Sequence, residues 1–174
     1  ENNAMWGPLL EKAWSKVKGN YLNSESDNVG SAMKAFLGFP VFGYSTGANI
    51  GYEVEVWEGL RDSEIAGNLL SVQTSGNSDA DVNEFGIVRN HAFPILSVFS
   101  LDDTDSNTVL HRLYMMRNPW GRTEYNHTWS KDDPNWSQEF IEQVPFGVDP
   151  RTAHEHGIFF IEAGDFLNAF ITFQ

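Results

Sequence analysis

The chain has 174 residues, 41% hydrophobic and 14% aromatic, which is enough to bury one sizeable core in a single domain spanning 1–174. Its 11 basic and 24 acidic residues leave a formal net charge of −13, which argues against nucleic acid or an anionic membrane as partner, because the average field repels both. No run approaches the ~18 apolar residues of a membrane span, no basic-then-apolar leader opens the sequence, and there is no cysteine.

In chain order, Pro8 to Lys18 predicts a helix: Leu9, Ala13 and Val17 repeat at i+4, Leu10 and Trp14 widen the stripe, and Gly19 follows. Asn23 to Asn28 is polar and reads as an exposed loop. Ser31 to Leu37 predicts a short helix ended by Gly38. Residues 38–52 carry four glycines and Pro40 among Phe39, Val41, Phe42 and Tyr44, and read as a strand with a Gly-rich turn. Without a Gly-Lys-Ser/Thr ending or Gly-x-Gly-x-x-Gly, those glycines do not make a phosphate loop. Glu53 to Asn68 predicts a helix with Val54, Trp57, Leu60 and Ile65 near one face. Leu69 to Thr74 alternates as a strand, and Ser75 to Glu84 has the composition of a solvated loop.

The stretch from His91 to Gly121 organises the rest. Ile95–Phe99 and Val109–Met116 have strand-like composition, and the loop 102–108 between them is rich in turn formers, which predicts an antiparallel hairpin. Residues facing each other across such a hairpin have numbers with a constant sum. His91 and Asn118 sum to 209, with a midpoint of 104.5 inside the loop, so the hairpin is expected to bring them side by side. An imidazole beside a carboxamide is a base with its orienter, the pair that serves a thiolate nucleophile. Pro94 cannot donate to a ladder and is expected at an unpaired side or a bulge. Asn90 tolerates a left-handed backbone.

Further on, Trp129 and Trp136 are expected to cap a core. Residues 137–153 read as an irregular connection with one helical turn at Gln138–Glu142. Gly157–Ile161 predicts a core strand, Gly164–Leu167 a short helix and Phe170–Phe173 a closing strand. His154 and His156 offer two ligands for a metal with no third close in sequence, so plain surface histidines are the commoner reading. The acidic loop 102–105 lacks the Gly and bidentate Glu of an EF-hand. The two sequons, at Asn126 and Asn135, are discounted as chance matches.

His91-Ala92-Phe93 followed by Arg117-Asn118-Pro119-Trp120-Gly121 resembles the calpain family of papain-like cysteine proteases. Met5 to Lys16 is similar to the family's entry into its second catalytic subdomain, and Gly157 to Leu167 parallels the family's Gly-Glu-Phe-Trp segment. The resemblance covers most of the chain and implies an α+β fold, an antiparallel sheet with packed helices, including Pro8–Lys18. It implies His91 as catalytic base, Asn118 as orienter and Trp120 as a shield over their hydrogen bond. Asn90 and Phe93 stand where the family has Gly and Tyr.

With no thiolate, the chain cannot perform the family's chemistry alone. The resemblance therefore implies the His/Asn half of an intracellular endopeptidase, whose Cys lies in a preceding subdomain of a longer parent. Protein substrates and a cytoplasmic location follow from the same resemblance. A non-catalytic homologue serving as a binding or regulatory module stays open, and so does transglutaminase-like acyl transfer, although those enzymes usually orient the His with an Asp. The family also holds a calcium in this subdomain. Here Glu124 matches a ligand, Lys131 and His156 replace acids, Asp132 is one residue displaced, and Ile158 replaces a Glu. A hard cation needs several carboxylates, so no cofactor is expected.

Overall fold

The computed structural model describes residues 5–24 and 29–174 and divides the chain into two compact units, Glu1–Val41 and Phe42–Gln174. Residues 25–28 of the expected polar loop lie outside the described residues; Leu22–Ser24 form a 3-10 turn.

In the first unit, helix α1 (Trp6–Lys18) starts two residues before the predicted Pro8, and α2 (Val29–Leu37) starts two before Ser31. The two meet through Trp14 and Phe36, with ring centroids 5.3 Å apart. The predicted stripe of α1 is not a buried one: Leu9 and Val17 are exposed, and Ser15 is the buried residue. Its hydroxyl donates to the Glu11 carbonyl at 3.0 Å and lies 2.8 Å from that of Ser24.

The second unit is built on a six-stranded antiparallel sheet: β1 (Tyr44–Ser45), β2 (Leu70–Gln73), β3 (Ala92–Asp103), β4 (Thr108–Arg117), β5 (Ile158–Glu162) and β6 (Thr172–Phe173). Their order is β1-β6-β2-β3-β4-β5. The fold class is thus the α+β one expected. Helices α3 (Glu53–Ile65), α4 (Gln138–Glu142), α5 (Pro150–Ala153) and α6 (Ala163–Ala169) complete it.

Adjacent residues of β4 and β5 point into different cores. Tyr114, Met116, Phe159 and Ile161 pack with Trp57 and Leu60 of α3 and Phe166 and Leu167 of α6. Leu113, Met115 and Phe160 pack on the other face with Trp129, Trp136, Val144 and Ala153. This two-sided burial explains why β4 reads as a nearly continuous apolar run. It also places both tryptophans where they were expected, against a core.

Several boundaries and faces differ from the sequence reading. The strand expected in 38–52 is only two residues long and precedes a 3-10 turn at Gly47–Asn49, since glycines and Pro40 interrupt any longer ladder. Helix α3 stops at Ile65, not Asn68, and buries Val56, Trp57 and Leu60, while Val54 and Ile65 are exposed. A polar residue completes its inner face: Glu64 Oε2 accepts the Val98 N–H at 2.6 Å, capping β3 beyond the end of β2. The connection 137–153 is more ordered than expected. Ser137 caps α4, a 3-10 turn follows at Pro145–Gly147, and Asp149 with Pro150 starts α5. The last strand begins at Thr172 instead of Phe170 because α6 runs to Ala169.

The hairpin is present with a different register. Paired numbers sum to 211 at Ile95↔Met116, to 212 at Val98↔Tyr114 and to 211 again at Asp103↔Thr108, with irregularities between Ile95 and Ser97 and between Leu101 and Asp102. The single constant of 209 is therefore corrected: the turn closes at Asp103↔Thr108 with a sum of 211, and the two bulges shift the middle of the ladder by one more. Pro94 sits where its missing N–H does little harm. It faces Ser71, whose own N–H and carbonyl both pair with Gln174 on the other side, and it lies just outside the first β3–β4 pair.

Candidate functional site

The carboxyl end of β2, the entry to β3 and the exit of β4 converge on His91. Thr74, one residue beyond β2, donates its N–H to the His91 carbonyl at 3.0 Å, and its buried hydroxyl accepts the His91 N–H at 3.1 Å. Asn90 adopts φ 49°, the left-handed conformation expected of it, and donates its N–H to the Ser75 carbonyl at 3.1 Å. The imidazole stands edge-on to Phe93, centroids 5.1 Å apart, and 4.8 Å from the Trp120 indole.

Asn118 leaves β4 in a turn that its own sequence dictates. Asn at the first position, Pro119 at the second and Gly121 at the fourth suit a tight turn, and the Gly121 N–H reaches the Asn118 carbonyl at 3.0 Å. The side-chain Oδ1 accepts the Trp120 N–H at 3.0 Å, and Asn118 is only 2% exposed. On the far side, the Asn118 N–H reaches the Gly157 carbonyl at 2.8 Å. Gly157 has φ +77° and no room for a Cβ, which would lie 2.6 Å from the Asn118 carbonyl oxygen.

His91 and Asn118 are neighbours, but the contact between them is open. Nε2 of His91 is buried with no well-formed hydrogen bond, while the Asn118 carboxamide is close enough to exert a hydrogen-bonding pull on the ring. Burial holds the His91 pKa below the usual imidazole range, opposed by Asn118 and by the charge of Asp79. A ring kept neutral near pH 7 with one nitrogen facing a carboxamide can act as a base through the other. The paired ladder stops at Ile95↔Met116, short of both residues, and the turn after Arg117 sets the Trp120 indole against the His91 ring. Trp120 covers one face of the ring and stays 45% exposed itself, so its outer face is wet.

A profile described as Calpain family cysteine protease matches residues 1–174. The chain belongs to the calpain family. It is 31% identical to Calpain-9 of Rattus norvegicus over 98% of its length, and 29% identical to Calpain-8 of Mus musculus over 98%. Against the Calpain-2 catalytic subunit of Gallus gallus it is 27% identical over 96%. It spans 23–24% of the length of these three relatives.

The positions compared with the family's calcium ligands are gathered in part. Glu124, Lys131, Asp132 and Ile158 line one cavity of about 480 Å³, with Trp129 and His154 in its wall. Lys131 Nζ lies 3.9 Å from Asp132 Oδ2, so a cation already faces that carboxylate, and Ile158 offers no side-chain oxygen. The His156 carbonyl accepts the Arg117 Nε–H at 3.1 Å. Among the described residues, no group of three or more His, Asp, Glu or Cys side chains is placed to hold a metal, and no helix is long and apolar enough to cross a membrane. This donor set does not fit a hard divalent cation.

Sequence reasoning missed Thr74 and Gly157. Thr74 reads only as the last residue of an alternating strand, and its role depends on where residues 88–91 fold back. Gly157 parallels a family glycine in sequence, but its closeness to Asn118 is a contact across 39 positions.

Proposed function

We propose that this chain is the His/Asn-bearing half of a calpain-type cysteine endopeptidase, with His91 the general base, Asn118 its orienter and Trp120 the cover on the ring. The observation that carries the reading is the neutral-leaning imidazole of His91 held between Trp120 at 4.8 Å and the buried Asn118 carboxamide. His91 would take the thiol proton as the nucleophile attacks a peptide carbonyl and return it to the leaving amine. The thiolate and the oxyanion donors would come from a Cys-bearing subdomain of the same parent, since this chain has no cysteine of its own. The open His91–Asn118 contact fits this division, since catalytic hydrogen bonds often tighten only when the site is assembled. Protein substrates, a cytoplasmic location and the absence of calcium at Glu124 belong to the same proposal.

The test uses the Cys-bearing parent and a fluorogenic peptide. His91→Ala removes nearly all of kcat, and Asn118→Ala costs less, as an orienter does. Wild-type rates in both variants would overturn the assignment. A parent whose nucleophile position holds no Cys would instead make this chain part of a non-catalytic module. The chain alone cleaves nothing, and active-site-dependent cleavage of casein by it would refute the split.

A further inference from the structure

A single hydroxyl bridges the two ends of the turn that presents His91. Thr74 Oγ1 accepts the His91 N–H at 3.1 Å and donates to the Val88 carbonyl at 2.8 Å, so one atom ties both ends of the segment 88–91 to the end of β2. The main chain of Thr74 adds a bond from its N–H to the His91 carbonyl at 3.0 Å, and Ser75 accepts the Asn90 N–H at 3.1 Å. Thr74 is 6% exposed, so water cannot replace its hydroxyl without opening the turn. The Val88 carbonyl, the His91 N–H and the left-handed Asn90 between them therefore depend on a group that touches neither Asn118 nor Trp120 in any hydrogen bond.

We propose that Thr74 is the positioning residue of this site: its hydroxyl fixes the His91 backbone so that the imidazole stands against Trp120 and Asn118. The inference rests on the reading of His91 as the base, but its geometry is independent of that reading. The side chain acts through His91 and contacts no substrate. β3 begins only at Ala92, and upstream of His91 the backbone is held by the Asn90 N–H on the Ser75 carbonyl, the Arg89 N–H on the Asp81 carbonyl and the Val82–Val88 bridge. The Thr74 side chain adds the constraint that takes the His91 N–H itself and joins it to the Val88 carbonyl. An apolar isostere there leaves a part-buried donor and a part-buried acceptor unpaired, and the turn relaxes to satisfy them elsewhere.

The experiment uses this chain, with NMR of the His91 imidazole. In the wild type, nuclear Overhauser contacts join the His91 ring to the Trp120 indole, and the ring titrates below the usual imidazole range. Thr74→Val is expected to lose those contacts and to move the titration upward as the ring escapes burial; Thr74→Ser restores both. Thr46→Val serves as the control, because Thr46 is another buried threonine whose hydroxyl donates to a carbonyl, that of Phe170 at 2.5 Å, away from the site. It should lower the melting temperature while leaving the His91 ring unmoved. Unchanged ring contacts and titration in Thr74→Val, or the same change in Thr46→Val, would overturn the proposal. If Thr74→Val does not fold, hydrogen exchange in the wild type decides: a His91 amide exchanging as fast as those of residues 76–80 would refute the clamp, and one protected alongside β3 would support it. Loss of the catalytic assignment would show differently, as full activity of His91→Ala in the Cys-bearing parent with the Thr74 result intact.

Discussion

Replacing Gly157 by Ala tests how tightly the Asn118 turn is held. The cost has two parts. At φ +77° an L side chain pays the left-handed penalty, about 1–2 kcal/mol. The added Cβ would also meet the Asn118 carbonyl oxygen at 2.6 Å, the Arg122 nitrogen at 2.9 Å and the Gly121 carbonyl carbon at 3.0 Å, all backbone atoms that cannot rotate away. Overpacking against such neighbours costs about 1–3 kcal/mol. The sum is about 2–5 kcal/mol, a large share of the stability of a small domain. Gly121→Ala isolates the first part, since Gly121 has φ +73° and nothing within 4 Å of its would-be Cβ. Urea unfolding followed by fluorescence of the buried Trp57, Trp129 and Trp136 measures both variants. Gly157→Ala should be the less stable by about the overpacking term, with amide shifts concentrated at 117–122. Equal midpoints for the two variants would refute the argument that this glycine is kept for close approach.

Three other outcomes are expected. Because the His91 pKa is lowered in the folded chain, its neutral form is favoured there, and the unfolded chain binds more protons just below about pH 6.5. Stability is thus lost as pH falls through that region toward the folded pKa, and His91→Phe should flatten this part of a denaturation profile; an unchanged slope would show that His91 does not carry it. Glu64→Ala removes the acceptor of the Val98 N–H and should cost about 1–3 kcal/mol in urea unfolding, whereas a neutral result would mean that water caps the strand as well. Calorimetric titration with calcium should show no stoichiometric micromolar binding at the Glu124–Asp132 cavity, and micromolar binding abolished by Glu124→Ala would overturn that expectation.

Most of what the sequence determined is local or periodic. The hairpin was legible because turn formers at 102–108 separate two apolar runs, and α2 and α4 because caps and punctuation are chemical properties of neighbouring residues. The turn at Asn118 places Asn, Pro and Gly at the positions their backbone preferences favour. The identity of His91, Asn118 and Trp120 as one cluster came from the same residues, through their motif and its resemblance to a family. Tertiary structure decided what depends on partners distant in the chain. The hairpin closes at Asp103↔Thr108 with a sum of 211 instead of 209, and two bulges raise the sum to 212 only in between, because a turn's exact closing pair and an inserted residue leave no mark on the apolar pattern. Which stripe of α3 faces inward was settled by Trp57 meeting the sheet and by Glu64 capping Val98, a contact between residues 34 positions apart. The Thr74 hydroxyl and the Gly157 backbone act on the site only once β2 and β5 lie beside it, so neither their chemistry nor their spacing could announce the role.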